Sequence, residues 1–265
     1  RNYDASFSVD GKSFSNLCTF FLNSKLKLGL IYKTSVLGIT FYKPNLLFKV
    51  IFNYFETFTS KKNLLQIEHL PTKLINLAKK LSFKIKNKDK YHFAPSIKET
   101  DFKKKFGKYI KNKFILIHLD EKWNDIKDIE TELFKTIVKF QKLIKMNLIL
   151  TAKNNKDIYF KKFRYFLNKK DFNKITLLNN LNLNAMERFI NHSVFSISCH
   201  SGFLVQIAGC NRTKIIDIVN KKDYLWYSCW KPLNTKHRFV FKSNYQQKFK
   251  VEKIFNNIVK ISKNF

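Results

Sequence analysis

The sequence predicts an α/β protein, in which strands and helices alternate along most of its 265 residues. Three observations carry that expectation. Short apolar runs recur between stretches of helical periodicity, which is the pattern of βα units. Phe114-Ile115-Leu116-Ile117-His118 is almost continuously apolar, as in a parallel strand covered on both faces. Ile129, Leu133, Ile137, Phe140 and Ile144 then fall on one face of a 3.6-residue repeat.

Taken in order, Ala5–Val9 reads as a strand ended by Asp10-Gly11, Ser13–Leu22 as a helix and Leu28–Tyr32 as a strand. The aromatic-rich region 33–60 is open; Phe48–Phe58 suits a strand or a helix. Ile67, Leu70, Leu74, Leu77, Ala78 and Leu81 share a helical face, with Pro71 in the first turn, where it is tolerated. Ser82–Lys98 is polar, basic and contains Pro95, so it reads as a linker. Thr100–Ile110 suits a short helix. After the Phe114–His118 strand, Asp128 is placed to cap the long helix. Asn147–Thr151, Ile175–Leu178, Val194–Ser198 and Lys214–Val219 complete a set of five strands. Helices Asp157–Asn168, Asn184–His192 and Phe203–Gly209 lie between them, which suits a doubly wound sheet. An aromatic loop around Trp226 and Trp230 precedes a last helix, Gln247–Ser262.

The length accommodates two domains of roughly 100–200 residues, and 45% hydrophobic residues are enough for real cores. The expected division is 1–98, 99–244 and a C-terminal helix in 245–265. The formal net charge of +32 arises from 51 Lys and Arg against 19 Asp and Glu. Lys, Asn, Ile and Phe are abundant together throughout, so Lys is largely the default surface residue. A dedicated nucleic-acid module would gather its charge on one face and read bases with Arg, which this chain scarcely uses. A Lys-rich nucleic-acid-binding protein therefore stays as an alternative, and no specific nucleic acid is expected. Either way the charge predicts salt-sensitive attraction to anionic partners.

Cys18, Cys199, Cys210 and Cys229 show no C-x-x-C spacing and read as free thiols of a reducing cytoplasm. The most apolar stretch, Phe20–Tyr42, is interrupted by Lys25, Lys27 and Lys33, so no membrane span is expected. The chain begins at Arg1 in mid-pattern, and its natural N-terminus is expected upstream.

Two strand ends attract chemistry, because ligands of open α/β sheets bind beyond the carboxyl ends of the strands. The first is His118-Leu119-Asp120-Glu121-Lys122-Trp123, where Lys122 suits a phosphate and Trp123 a ligand ring or the sheet edge. Its plain alternative is a solvated βα loop with the Trp folded onto the core. The second is Ser198-Cys199-His200-Ser201-Gly202, which leads straight into a helix. Backbone N–H groups at such a start favour an anion, and Gly202 permits close approach. The plain alternative is ordinary N-capping. A Ser or Cys nucleophile beside His200 is a further reading, though G-x-S-x-G is absent. His69 and His92 read as surface residues. The six glycines form no P-loop or G-x-G-x-x-G, and no carboxylate cluster suggests a divalent cation, so neither a cofactor nor a metal is expected.

The ordered set of segments resembles the heptosyltransferase-like glycosyltransferases. Arg1-Asn2-Tyr3-Asp4 through Asp10-Gly11 is similar to that family's "R-x-Y-D, strand, D-x-x-G" segment, in shortened form. Leu28-Gly29-Leu30 falls at its "R-I-G-F" strand, and His69 with the following helix at its "H…Y-L-x-L-L". Ile115–Trp123 resembles "L-L-H-P-G-x…K-x-W-P", which sets Lys122 on the Lys and Asn124 on the Pro. Leu183–Asn191 resembles "S-L-x-E-L-A-x-L-I", with Glu187 on its Glu. Val194–Asp217 follows the register of "V-V-x-x-D-[ST]-G-x-x-H-x-A-A-A-x-x-x-P-x-V-x-L-F-G", with Ser201 and Gly202 on its [ST]-G. The departures are His200 at the family Asp, Val205 at the His and Thr213 at the Pro; Gln206 stands beside the lost His.

The resemblance implies two facing Rossmann-like domains of the GT-B type: an acceptor-side domain over 1–98, incomplete at its N-terminus, and a nucleotide-sugar donor domain over 99–244, with the C-terminal helix of 245–265 packing back towards the first. It implies transfer of a sugar, hexosyl or heptosyl and with inversion, from a nucleotide-diphosphate donor to a lipopolysaccharide-type acceptor. Donor contacts would come from His118, Lys122, Glu187, His200, Ser201, Gly202 and Gln206, and acceptor contacts from Asp10 and Gly11. The nucleotide-sugar is a substrate rather than a cofactor. The family's general base lies on a "G-D-x" turn expected upstream of Arg1. The setting implied is cytoplasmic, peripheral to the inner membrane. A degenerate, non-catalytic transferase fold is the further alternative, because the family Asp and His are replaced.

Overall fold

A computed structural model of the chain describes residues 1–10, 12–36, 39–42, 50–59, 68–82, 98–152, 161, 163–165, 174–233 and 235–265. The structure comprises two compact units, Arg1–Asn87 with Leu225–Lys231, and Lys88–Tyr224 with Pro232–Phe265. The inclusion of Leu225–Lys231 in the first unit differs from the division expected from sequence. Residues 83–97, nearly all of the segment 82–98 read as a linker and including His92, fall outside the described residues, as do Gly11 and most of the helix expected over Asp157–Asn168. Among the described residues no helix is long and apolar enough to cross a membrane.

The first unit contains β1 (Tyr3–Ser8), α1 (Ser13–Phe21), β2 (Ser24–Val36), β3 (Ile39–Tyr42), β4 (Tyr54–Thr59) and α2 (Leu70–Lys80). β2 runs parallel to β1 and β4 and antiparallel to β3. The open region of the sequence thus supplies a strand at Tyr54–Thr59, shorter than the Phe48–Phe58 segment considered. Leu28, Leu30, Phe58, Leu70 and Leu77 form the core, joined by Cys229. Helix α1 turns a polar face inward: Asn16 and Thr19 are buried, while Phe14 and Phe21 are about three-quarters exposed, at 76% and 75%. Ser8 Oγ donates to Asn16 Oδ1, and Asn16 Nδ2 donates to the Leu30 carbonyl, which satisfies the buried amide. His69 is half-buried rather than a free surface residue; its Nε2 donates to the Lys231 carbonyl at 2.6 Å.

The second unit holds α3 (Glu99–Ile110), β5 (Phe114–Leu119), a 3-10 turn (Glu121–Asp125), α4 (Ile129–Ile144), β6 (Asn147–Ala152) and β7 (Ile175–Asn179). Then follow α5 (Leu183–His192), β8 (Ser196–Ser198), α6 (Gly202–Asn211), β9 (Ile215–Asn220), β10 (His237–Ser243) and α8 (Val251–Ser262); α7 (Tyr224–Cys229), between β9 and β10 in the chain, belongs from Leu225 onward to the first unit. The strands form one six-stranded sheet in the order β10-β9-β8-β5-β6-β7, parallel throughout. The sixth strand, β10, is not legible in the sequence because its His, Arg and Lys break the apolar run. The expected aromatic loop around Trp226 is instead the helix α7.

Side chains of a strand alternate between faces, and here each face meets its own helical layer. Ile115, Ile117, Leu148, Leu150, Ile197, Ile216 and Ile218 pack under α4 and α8. Phe114, Leu116, Ile149 and Ile215 pack under α3, α5 and α6. Burying both faces is what makes these strands apolar along their length. Val251, Ile254, Phe255 and Ile258 of α8 belong to the first of these two layers, where Phe255 packs near Trp123. Asp128 stands before α4 in a left-handed conformation, φ 59°, with no side-chain cap bond, contrary to the capping expected from sequence.

Candidate functional site

The order of the six-stranded sheet defines the site. Chain order runs outward in one direction from β5 through β6 and β7, and in the other through β8, β9 and β10. The direction of winding therefore reverses between β5 and β8, and the crevice outside their carboxyl ends is where such sheets bind ligands. The two loops singled out from sequence leave those two strands. They meet: Lys122 Nζ donates to the His200 carbonyl oxygen at 2.7 Å.

Each loop is fixed from below. Asp120 accepts from the Lys122 amide at 3.1 Å and so starts the 3-10 turn. Trp123 is fully buried and its Nε1 donates to the His118 carbonyl at 2.9 Å. That places the indole in the core and removes it as a ligand-stacking ring. Lys242 on β10 is buried, and its ammonium donates to the Lys122 carbonyl at 2.7 Å and to Asp125 Oδ2 at 3.4 Å. Lys122 is thereby presented on a turn anchored at both ends.

His200 adopts a left-handed backbone, φ 50°, uncommon for a residue other than glycine. Its Nδ1 bonds Asp217 Oδ2 at 2.7 Å, and His237 Nε2 approaches the same oxygen at 3.3 Å. Asp217 is wholly buried. Burial alone would raise its carboxyl, but the hydrogen bonds from His200 and His237, with their charge, outweigh it and hold the group below its ordinary value. Asp217 and His237 were missed by sequence reasoning. The available signal was a carboxylate inside the apolar run Ile215-Ile216-Asp217-Ile218-Val219, since a charge buried there demands partners.

Asp217 closes a polar row across the sheet. Thr151 stands opposite His118, His118 opposite Ser198, and Ser198 opposite Asp217, on four adjacent strands near their carboxyl ends. His118 Nδ1 bonds Thr151 Oγ1 at 3.0 Å, and Ser198 Oγ accepts from the Ser201 amide at 3.3 Å. The Ser201 amide is therefore engaged within the turn, and the anion-facing donors at this helix start begin with Gly202. A Cβ built on Gly202 meets no atom within 4 Å, so the space before the helix is open. Gln206 is exposed one turn further along the same helix, while Val205 is buried.

The structure thus brings together His118, Lys122, His200, Ser201, Gly202 and, one turn on, Gln206. Glu187 is not among them: it is buried on α5 and accepts from Asn211 Nδ2 at 3.3 Å, at the opposite end of α6 from Gly202. Asp10 lies in the first unit, where its Oδ1 accepts from the Lys12 amide. Cys199 is buried, and burial pushes its thiol well above the ordinary value, which removes it as a nucleophile. Among the described residues no cluster of His, Cys, Asp and Glu is arranged to hold a metal ion.

No family model matches the sequence, and no curated protein matches it. Solved structures do match. A glycosyl transferase family 9 protein of Veillonella parvula has a TM-score of 0.61 at 10% identity, over 98% of this chain and 73% of that one. The heptosyltransferase WaaC of E. coli, with ADP-2-deoxy-2-fluoro heptose, gives 0.57 at 14% identity, over 100% of this chain and 73% of that one. The ADP-heptose lps heptosyltransferase II of E. coli gives 0.56 at 12% identity, over 99% and 78%. The fold of this chain is accordingly the α/β fold of the heptosyltransferase-like, GT-B glycosyltransferases, as the sequence resemblance implied.

Proposed function

We propose that the chain is a glycosyltransferase that moves a sugar from a nucleoside-diphosphate donor to an acceptor hydroxyl. The observation that supports this most directly is the Lys122–His200 contact, which sets a cation beside an open helix start at the reversal point of a GT-B sheet. Departure of a diphosphate builds negative charge, and donors already aimed at that position lower the barrier. Lys122 and the amide of Gly202 supply such donors from two sides, and His200 stands between them. Charge from these groups makes the reading metal-independent. Inversion at the sugar carbon, hexosyl or heptosyl transfer and an anionic lipopolysaccharide-type acceptor belong to the same proposal, with the net charge of +32 suiting an anionic membrane face.

Calorimetry with ADP, GDP, UDP and CDP tests the reading. At least one binds saturably, and Lys122→Ala weakens it by about ten- to a hundredfold, as expected for loss of a charge-assisted contact. Parent protein that binds none of the four, or a Lys122→Ala variant of equal affinity, overturns the donor site. Binding without turnover of any sugar donor assigns the chain to binding alone, and chelator-sensitive turnover removes the metal-independent part.

A further inference from the structure

Helix α1 is inside out. A helix that covers a sheet ordinarily turns its apolar stripe to the sheet and its polar residues to water. Here the buried residues are Asn16 and Thr19, and Asn16 is bonded to Ser8 Oγ and to the Leu30 carbonyl. Phe14, Leu17, Cys18 and Phe21, spaced i, i+3, i+4 and i+7, form the outward face. The neighbouring Phe20 and Leu22 are exposed as well.

This is not the chain's ordinary surface. Charged residues make up 26% of the sequence, with Lys as the usual filler, yet Ser13–Phe21 carries no charge at all. Among the described helices of eight or more residues only α6 shares that property, and α6 is largely buried on its sheet. A contiguous apolar strip left in the open marks a surface that something covers. With nine residues α1 is far too short to cross a bilayer, which takes about 20, but it can lie on one.

The charges around the helix choose the occupant. Lys12 stands directly before α1, and Lys25 and Lys27 follow it on β2. Lys27 Nζ donates to the Phe20 carbonyl and lies 5.3 Å from the centre of the Phe20 ring, so an ammonium borders the aromatic face. The acidic groups here are Asp4, paired with Lys25 at 2.9 Å, and Asp10, 4.0 Å from Lys12; both pairs are solvent-exposed and weakly held. A second copy of a chain with net charge +32 is repelled, whereas a layer of anionic lipid headgroups is attracted. We propose that the outward face of α1 docks on an anionic bilayer. Phe14, Leu17 and Phe21 enter the interfacial layer with the helix lying in its plane, and Lys12, Lys25 and Lys27 meet the lipid phosphates around it. The inference rests on the acceptor side of the functional reading, a membrane face, and on none of the donor-site residues.

Co-sedimentation with phosphatidylcholine vesicles, with and without phosphatidylglycerol, tests this at physiological salt. The parent should bind the vesicles that contain phosphatidylglycerol, and a Phe14→Ser, Phe21→Ser double variant should bind them more weakly by about tenfold or more. Both rings are largely exposed, so the double variant should keep the parent's melting temperature. Leu143→Ser and Tyr245→Ser remove exposed apolar side chains elsewhere and should bind like the parent. That comparison separates docking by α1 from the attraction of any chain of +32 to an anionic surface. No binding by the parent, or equal binding by parent and double variant, overturns the proposal. Equal binding of the parent to the two kinds of vesicle overturns the choice of an anionic surface. Sedimentation velocity without lipid covers the other occupant: a parent dimer that the double variant dissolves makes the face a contact between copies and overturns the membrane. Should the double variant fail to fold, Phe14→Ser alone carries the comparison. Nucleoside-diphosphate calorimetry should give the same affinity for parent and double variant, so that loss of docking and failure of the donor site are read separately.

Discussion

The residue with the sharpest consequence is Gly202. A side chain there meets no atom within 4 Å, so the fold does not require glycine at this position. The ligand would require it, because a Cβ intrudes where a phosphate approaches the helix start. Gly202→Val should therefore leave the melting temperature nearly unchanged and abolish nucleoside-diphosphate binding; normal binding by the variant would sink the assignment. Asp217 gives a second prediction. Its folded-state value lies below the ordinary 3.8, so its contribution to stability is present above the ordinary value and is lost as pH falls through the lowered one. Denaturant unfolding measured down the acid limb should accordingly be less steep with pH in Asp217→Asn than in the parent. The sequence made Lys122, His200 and Gly202 legible because each follows a confident strand. It hid Asp217 and His237, since partners brought together by strand order leave no local spacing to read. It also misplaced Glu187, whose bond to Asn211 depends on how two helices pack.

At the scale of elements, periodicity is a good guide wherever one face is buried. The α4 stripe Ile129, Leu133, Ile137 and Phe140 is buried as its spacing indicates. β10 escapes it because His237, Arg238 and Lys242 interrupt its apolar residues, although two of the three are buried. Helix α1 is legible as a helix but not in its orientation, since its buried residues are Asn16 and Thr19. Two helical glycines make opposite predictions for one substitution. In α3, a Cβ on Gly107 meets nothing within 4 Å, so Gly107→Ala should raise stability by about 0.5–1 kcal/mol. In α6, a Cβ on Gly209 would lie 2.5 Å from Pro232 Cβ and 2.9 Å from its Cγ, so Gly209→Ala should lower stability. Paired chemical denaturation curves would check both signs.

At the scale of the whole molecule, charge is the dominant fact. A net +32 repels itself in the compact state, and salt shortens the reach of that repulsion to about 10 Å at 0.1 M. Added sodium chloride should therefore raise the melting temperature, whereas an uncharged osmolyte at equal osmolality should not reproduce the salt-specific part. A melting temperature that falls or stays flat with salt would show that local ion pairs outweigh the global field. The polar row across the second sheet carries a consequence for how the chain finds its fold. Parallel strands have no tight hairpin to set their alignment, and a slip of one residue exchanges their two faces. If β9 slipped by one against β8, Asp217 would leave the imidazoles and enter the layer of Ile117, Ile197 and Trp123, a charge without a counterpart in hydrocarbon. The neighbours Thr151, His118 and Ser198 bind the same level from the other side. The residues that shape the crevice thus also act as an alignment mark during folding, penalising a one-residue slip of the sheet before any ligand is present.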